Sequence, residues 1–335
     1  MDALSDVLQV VRLNGALYLH GEFSAPWGVV GARHEGLCNA FFASAERIVS
    51  YHLLTEGSCW VELVGDPGSA IQVHAGELIV VPHGEPHILR SAPDVLPTPT
   101  ESMLSGYLRD TPGEVLTLCM DGDGDRTRML CGFLACDESH SNPLLSMLPQ
   151  LFKVDMRGDP RSAWIESSLQ FAAVEASENR AGSALVLGKL SELLFVEAIR
   201  RCIDAMPATQ EGWLAGVRDR FIGRALALMH AQPSHAWTVD ELARRVGLSR
   251  SALAQRFNDL IGQPPMQYLT RWRLQLAAKE LTAASKPLIA IASQVGYESE
   301  AAFNRAFKRE FGMPPSSWRK SRGTLQAEPQ TALAS

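Results

Sequence analysis

The chain has 335 residues, of which 46% are hydrophobic, enough to build two or more domains with ordinary cores. No stretch approaches 18 uncharged apolar residues, so we expect no membrane span. Residues 1–11 carry two acidic and no basic side chains, unlike a secretory signal, and we therefore expect a cytoplasmic protein.

The net charge of −6 is unevenly distributed along the chain. Residues 218–322 hold 17 Lys/Arg and 8 Asp/Glu, a net charge of +9, whereas the rest of the chain holds 14 and 29, a net charge of −15. A basic C-terminal third on an acidic body indicates that one end of the protein meets a polyanion. Charge alone is a weak indication, because Lys and Arg also line ordinary solvated helices.

Residues 1–140 have the pattern of an all-β domain. Runs such as IVSYHLL, CWVELVG, LIVVP and EVLTLCM cluster β-branched and aromatic residues, and turn sequences such as GDPGS and PHGEP separate them. Many short strands with turn signals between them predict a β-sandwich or barrel.

Residues 141–206 change to helical spacing, which predicts a helical hairpin. Its apolar stripe predicts packing on the barrel, and the width of the stripe favours packing on a second copy of the chain as well. Residues 207–214 have the composition of a linker. Residues 323–335 are expected to form a disordered tail.

Residues 215–322 are predicted to be helical throughout and contain one motif twice. LARRVGLSRSALAQRF at 242–257 and IASQVGYESEAAFNRAF at 291–307 each place a glycine four residues after a small residue, which allows a tight turn between two helices. Ser249 and Ser299 follow at the position that caps the next helix. One copy is a weak signal, but two copies with glycines 49 residues apart favour a double helix-turn-helix domain.

The C-terminal region resembles the DNA-binding domain of AraC/XylS-type transcription regulators. The resemblance is carried by WTVDELARRVGLSRSALAQRF, GQPPMQYLTRWRLQLAAKEL and VGYESEAAFNRAFKREFGMPPSSWR. It implies that the second helix of each motif enters the major groove of one DNA segment. The partners that it implies or allows are double-stranded DNA, a small-molecule effector, a second copy of the chain in a homodimer, and RNA polymerase.

Exposed positions near the start of those two helices are the predicted DNA-reading residues. Arg305 could donate two hydrogen bonds to a guanine edge, Gln255 could read adenine, and Glu300 could accept a hydrogen bond from cytosine. The alternatives are a phosphate contact or a solvated side chain for Arg305, and a favourable helix-dipole interaction for Glu300. The full predicted set is Ser249, Arg250, Ser251, Ala254, Gln255, Ser299, Glu300, Ala301, Arg305 and Lys308. The residues assigned either to phosphates or to local salt bridges are Arg271, Arg273, Lys308 and Arg319.

The N-terminal region resembles the cupin-type sensor domain found in one branch of these regulators. PWG at 26–28, YHLLTEGSCWVEL at 51–63, GELIVVPHGEPH at 76–87 and TRMLCGFL at 127–134 carry the resemblance. Together the two resemblances imply an α+β protein of two domains. The first is a cupin-like β-barrel with a helical hairpin, and the second is an all-α double helix-turn-helix domain.

Cupin enzymes bind a metal through two sequence motifs, of which only the second is intact here. That motif, G-x5-P-x-G-x2-H, is satisfied by Gly76, Pro82, Gly84 and His87. The first motif, aligned on Gly57, places Ser50 at the glutamate position and no histidine at either histidine position. We therefore expect no metal, no cofactor and no enzyme activity. A site rebuilt from His34, His52 or His83 in a different geometry is the alternative.

Without a metal, the predicted role of the barrel is to sense a small molecule. Strand alternation places Ser50 and His52 on one face and Tyr51 on the other. If the first two point inward, they lie with His87 among apolar walls, as in an ordinary ligand pocket. The predicted effector-binding residues are Ser50, His52, Trp60 and His87. A packed histidine without a ligand is the alternative for His87.

The six cysteines form no CxxC pair and no metal-ligand spacing. Buried, reduced thiols are the expectation, and a thiol-redox regulator that uses Cys131 and Cys136 is the alternative.

Overall fold

The computed structural model describes residues 3–11, 13–31, 47–99, 116–136, 145, 148–157, 163–178, 180–205, 212–283 and 286–323. These residues divide into two compact units. The first unit contains the β-strands and most of the two helices that follow them. The second contains the N-terminal helix and the helices of the C-terminal region. Among the described helices, none is both long and apolar enough to cross a membrane.

Eleven described strands form two sheets. The strands are β1 (Leu13–Ser24), β2 (Gly28–Val30), β3 (Arg47–Glu56), β4 (Ser58–Leu63), β5 (Asp66–His74), β6 (Glu77–Val81), β7 (His87–Arg90), β8 (Thr98–Pro99), β9 (Leu116–Met120), β10 (Arg126–Cys136) and β11 (Phe152–Asp155). A six-stranded sheet has the order β11-β6-β3-β10-β1-β9, and a five-stranded sheet has the order β5-β4-β7-β2-β8. The predicted β-rich, cupin-like N-terminal domain is confirmed, and it is a two-sheet sandwich.

The core of the sandwich is built by alternate residues of strands from both sheets. Ile48 and Leu54 of β3, Cys59 and Val61 of β4, and Leu89 of β7 belong to one buried apolar cluster. Because side chains alternate along a strand, Ser50 and His52 share the inner side of β3 with Ile48 and Leu54, whereas Tyr51 faces the other side. This alternation decides which of the predicted effector residues can meet inside the sandwich.

Two helices follow the sandwich strands, α2 (Ala163–Glu178) and α3 (Ser183–Ala205). Tyr51, on the outer side of β3, donates a hydrogen bond to Ser191 of α3, whose hydroxyl in turn donates to the Leu187 carbonyl. The region from 141 to 206 is not helical throughout, because β11 adds to the edge of the six-stranded sheet beside β6.

The C-terminal helices are α4 (Trp213–Arg218), α5 (Arg220–Ala231), α6 (Val239–Val246), α7 (Arg250–Ile261), α8 (Pro265–Ala283), α9 (Leu288–Gln294), α10 (Glu300–Phe311) and α11 (Pro315–Gly323). The helical domain starts two residues before the expected position 215, because Trp213 and Leu214 are already buried in α4. The predicted tail falls almost entirely on residues 324–335, which lie outside the described residues.

The N-terminal helix α1 (Ala3–Val11) belongs to the helical unit, although the sequence grouped it with the barrel. Its residues Ala3, Leu4 and Val7 are buried. It packs against α5 and α8. The apolar side of α1 is therefore covered by the C-terminal helices, more than 200 residues away in the sequence.

Helix α8 runs through both halves of the helical domain. In its first half, the Tyr268 hydroxyl accepts a 2.8 Å hydrogen bond from Trp213, and Trp272 stacks on His230 at 4.0 Å between ring centroids. In its second half, Leu274 and Leu281 belong to a separate cluster with residues of α9, α10 and α11. One continuous helix thus connects two small hydrophobic cores.

Candidate nucleic-acid interface and candidate effector site

Two helix-turn-helix motifs, α6–α7 and α9–α10, are built by the same local contacts. Gly247 and Gly296 both have φ of +85°, the left-handed conformation in which glycine carries no steric cost. The small residue four positions earlier, Ala243 or Ala292, is buried where the two helices cross. The duplicated turn predicted from the spacing of these residues is present in the structure.

The second helix of each motif starts at the predicted serine. Ser249 Oγ accepts from the Ala252 amide, and Ser299 Oγ accepts from the Ala302 amide, both at 3.2 Å. These caps satisfy an otherwise unpaired amide in the first turn. The apolar side of each helix is fully buried, through Leu253, Phe257, Phe303 and Phe307.

The opposite sides of α7 and α10 carry the predicted DNA-reading residues. Ser251, Gln255, Ala301, Arg305 and Lys308 are exposed, whereas Ala254 and Glu300 are half-buried. Arg250 is exposed but lies 3.1 Å from the Asp240 carboxylate of α6. Arg305 has no ion-pair or hydrogen-bond partner among the described residues. Within the part of the chain that the structure describes, its guanidinium is therefore unpaired on the exposed side of α10.

The other basic residues that were considered have local partners. Arg271 forms a 3.0 Å ion pair with Glu310, and Arg319 donates to the Lys286 carbonyl at 2.6 Å. Arg273 donates to two backbone carbonyls of the loop before α6. For these three residues the structure favours the local interaction over a phosphate contact.

In the sandwich, the structure brings His52 and His87 together across the two sheets. Their Nε2 atoms are 2.7 Å apart, and both side chains are essentially inaccessible to solvent, at 2% and 1% exposure. Burial holds the pKa of His52 well below its ordinary value, and the neighbouring His87 lowers it further. Burial also lowers the pKa of His87. Both rings are therefore neutral near pH 7.

The protons of this pair are fixed by its neighbours. His87 Nδ1 lies 2.9 Å from the Glu85 carbonyl, which can only accept, so the proton of neutral His87 is on Nδ1. His87 Nε2 is then an acceptor, and His52 Nε2–H donates to it. His52 Nδ1 is left as a buried acceptor that has no hydrogen-bond partner among the described residues.

The remaining predicted effector residues divide between the two sides of their sheets. Ser50 is buried and lies on the same side of β3 as His52. Trp60 lies between Cys59 and Val61 of the core cluster, so it faces the other side of β4 and does not join the histidine pair. A small pocket at one end of the sandwich contains neither histidine. It is lined by Glu22, Phe23, Cys119, Asp121, Arg126 and Arg128.

The histidine pair does not have the geometry of a cupin metal site. Two imidazole nitrogens bound to one Zn²⁺ or Fe²⁺ would be roughly 3.0–3.4 Å apart, given metal–nitrogen distances of about 2.1 Å. Here the two Nε2 atoms share a hydrogen bond at 2.7 Å. Among the described residues, no group of three His, Cys, Asp or Glu side chains is arranged to hold a metal ion. Of the histidines considered for a rebuilt site, His83 lies with its Nε2 atom 3.1 Å from the Leu148 carbonyl oxygen. His34 is outside the described residues.

The two cysteines considered for redox sensing are not placed to form a disulfide with each other. Cys131 is buried, and burial raises the pKa of its thiol well above the ordinary value; burial likewise raises the pKa of the Cys59 thiol to about 12. Cys131 and Cys136 lie on one strand, five residues apart, which separates their Cα atoms by roughly 16 Å. A disulfide requires Cα atoms within about 7 Å. This pair therefore cannot form a disulfide in the folded sandwich.

Comparison with known proteins agrees with both halves of the structure. A family model described as cupin matches residues 2–204, and a family model described as a helix-turn-helix domain matches residues 242–321. The chain is 31% identical to a putative AraC-like transcription regulator of Streptomyces antibioticus, with 96% of this chain and 99% of that protein aligned. It is 28% identical to the HTH-type transcriptional regulator AlkR of Acinetobacter baylyi, with 96% and 99% aligned.

The chain therefore belongs to the AraC-type helix-turn-helix transcription regulators that carry an N-terminal cupin domain. These relatives are transcription regulators and not enzymes. Among solved structures, the chain is similar to the DNA-binding domain of AdpA in complex with a target DNA. That similarity covers 33% of this chain and 99% of that chain, at 24% identity and a TM-score of 0.32.

Proposed function

We propose that the protein reads a specific DNA sequence through both helix-turn-helix motifs and that its sandwich controls this binding in response to a small molecule. The observation that carries the proposal is the equivalence of α7 and α10. Each helix is capped by a serine, buries an apolar side that contains phenylalanine, and exposes polar side chains on the other side. Two such helices in one domain match two major-groove segments of one DNA duplex.

Within this proposal, Arg305 donates to the O6 and N7 atoms of a guanine, because its guanidinium is exposed and has no partner among the described residues. Gln255 reads an adenine, and Glu300 accepts from a cytosine. Arg250 and Lys308 contact phosphates and position the helices. The small side chains at Ser251 and Ala254 leave the first motif with fewer base contacts than the second.

Selection of bound DNA from a random library tests the proposal. The full-length protein should enrich one sequence with two informative segments, centred about one helical turn, or 10–11 base pairs, apart. Enrichment of a single short segment would show that only one motif reads bases. Equal recovery of all sequences would overturn sequence-specific binding.

For the effector, we propose that the ligand binds at the histidine pair, beside Ser50. The support is chemical: a neutral pair in an apolar interior, with one acceptor atom, His52 Nδ1, that lacks a partner among the described residues. A buried acceptor without a donor costs about 1–3 kcal/mol, which a suitable ligand would recover. Each neutral ring has one N–H group, and both of these groups already donate hydrogen bonds within the protein. The site therefore favours ligands that bring an O–H or N–H donor over ligands that bring only acceptors.

A thermal-shift screen of a metabolite library tests the effector site, with hits re-examined on His52→Phe. Hits should be enriched in compounds with a donor attached to an apolar body, and their shift should disappear in His52→Phe. The control variant His74→Phe replaces an exposed histidine in the same way and should keep the thermal shift. Hits that stabilise His52→Phe as strongly as the unmodified protein would place the ligand elsewhere.

We also propose that α2 and α3 mediate a homodimer. These helices expose large apolar side chains that a monomer would leave in water. They are Trp164, Phe171, Val174, Leu185, Val186 and Leu193, with exposures between 39% and 69%. A second copy of the same surface would bury them in an isologous interface.

A further inference from the structure

The turn of the second helix-turn-helix motif packs against the loop that leads into the first. A Cβ atom at Gly296 would lie 2.9 Å from the Cα of Ser234 and 3.0 Å from the Cζ of Arg273. The equivalent Gly247 has the same φ of +85° but open space around it. The two turns are thus alike in backbone conformation, and of the two only Gly296 is pressed against another part of the domain.

Arg273 of α8 lies at this junction and fastens the loop. Its Nε donates to the Pro233 carbonyl at 2.6 Å, and its Nη2 donates to the His235 carbonyl at 2.8 Å. Both carbonyls belong to the connection between α5 and α6, directly before the Thr238 cap of the first motif. The planar guanidinium offers both donors in one fixed geometry, which a lysine cannot do.

Burial strengthens the case that this contact is structural. The Arg273 side chain is half-buried, and burial lowers the pKa of its guanidinium from the ordinary value. Tyr297, the residue after Gly296, packs against the second core and is also half-buried. Arg273 therefore contacts the first motif through the loop and the second motif through its turn, while its own helix connects their cores.

We propose that Arg273 is a positioning residue that fixes the orientation of α7 relative to α10, and so fixes the spacing between the two DNA segments that these helices read. This inference rests on the proposed reading of DNA by both motifs. Helix α8 alone sets the distance between the two cores. The packing of Tyr268 and Trp272 holds the first core on α8, and the paired hydrogen bonds to the loop, together with the close contact at Gly296, limit the remaining tilt of the first motif relative to the second.

DNA geometry makes such a constraint measurable. One added base pair moves a half-site by about 3.4 Å and rotates it by roughly 35° about the duplex. Two motifs held rigidly to each other can keep their contacts with only one of two DNA segments displaced in this way. Two motifs that can reorient keep their contacts with both segments at a small cost in binding free energy.

The test compares the dissociation constants of the full-length protein for its selected DNA and for the same DNA with one base pair inserted between the two segments. For the unmodified protein, the insertion should weaken binding by roughly tenfold or more, because one set of contacts is lost. In Arg273→Met the same insertion should weaken binding by about threefold or less, since the first motif can now follow its segment. Circular dichroism shows whether the variant is folded.

Two matched controls distinguish the loss of the Arg273 contact from a general destabilisation of the domain. Arg271→Met is the same change two residues away and removes only a partly exposed ion pair with Glu310, so the penalty should stay that of the unmodified protein. Gly296→Ala and Gly247→Ala introduce the same backbone strain, but only the first presses against the loop. Gly296→Ala should therefore lower the penalty and Gly247→Ala should not, which provides a test even if Arg273→Met fails to fold.

An unchanged insertion penalty in both Arg273→Met and Gly296→Ala would overturn the inference. An equal loss of the penalty in Gly247→Ala would also overturn it, because the effect would then come from strain in either turn. Failure of the underlying proposal has a different signature, since the unmodified protein would then select no two-segment DNA at all.

Discussion

His52 of β3 and His87 of β7 are hydrogen-bonded through their Nε2 atoms at 2.7 Å, and they join the two sheets across the interior of the sandwich. Neither ring can take up a proton without placing a charge in an apolar core. Protonation of His87 at Nε2 would also break the hydrogen bond, because both Nε2 atoms would then be donors, whereas protonation of His52 at Nδ1 would place its charge in the core and leave the bond in place.

The stability of the protein should therefore fall in acid. The folded pKa values of both histidines lie below 6.5, so below about pH 6.5 the unfolded chain binds more protons than the folded one. The free energy of unfolding should drop from pH 7.5 to pH 5 by at most about 2 kcal/mol for each histidine. Urea unfolding followed by circular dichroism measures this, and His52→Phe should show a shallower decline. His74→Phe serves as the exposed control, and a decline in His52→Phe as steep as in the unmodified protein would contradict the assignment.

Replacement of an exposed apolar residue on α3 should separate the dimer. Leu185 is 69% exposed, so Leu185→Glu costs little in folding but places two charges in the proposed interface. We expect the molar mass from light scattering to fall from two chains to one at micromolar concentration, with an unchanged circular dichroism spectrum. Val64→Glu replaces an exposed apolar residue outside α2 and α3 in the same way and provides a control for the added negative charge alone. A monomeric unmodified protein would remove the dimer from the proposal.

Thiol labelling should distinguish the described cysteines by their burial. Cys119 is exposed, whereas Cys59 and Cys131 are buried with raised thiol pKa values, which leaves little reactive thiolate. Iodoacetamide at pH 8 should modify Cys119 at least tenfold faster than the two buried residues, as followed by peptide mass spectrometry. Urea should remove the difference. Rapid labelling of Cys131 in the folded protein would revive the redox interpretation.

The helix-turn-helix motifs could be predicted because their signals are local. The positions of Gly247 and Gly296, and of the capping residues Ser249 and Ser299, depend on contacts between residues three or four apart, which sequence spacing records. The cap at Thr238 follows the same rule, with its Oγ1 accepting from the Glu241 amide at 3.1 Å. The Glu241 side chain, which in a capping box reaches back to the cap residue, instead lies 3.1 Å from His235 Nε2. The partner of this side chain depends on the fold of the preceding loop, which no local pattern specifies.

The contacts between residues inside the sandwich were harder to predict from the sequence. Alternation along β3 grouped both Ser50 and His52 with His87, and of the two it is His52 that is hydrogen-bonded to His87. Alternation along a strand predicts which residues share a face, whereas only the packing of two sheets shows which of them touch. The same distinction explains Trp60, whose place in the proposed pocket fails on alternation, and α1, whose burial depends on helices at the other end of the chain.

The central claim, that α10 reads base sequence, is tested most directly by measuring the affinity of Arg305→Ala for the selected DNA and for every single-base-pair variant of it. The unmodified protein should distinguish one guanine-containing position by about 1–3 kcal/mol, and Arg305→Ala should lose that discrimination while it keeps the others. Lys308→Ala, on the same exposed side of the helix, should weaken binding to all sequences equally and reduce the salt dependence. Uniform weakening by Arg305→Ala, with discrimination intact at every position, would show that this arginine contacts only phosphate and would contradict base reading by this residue.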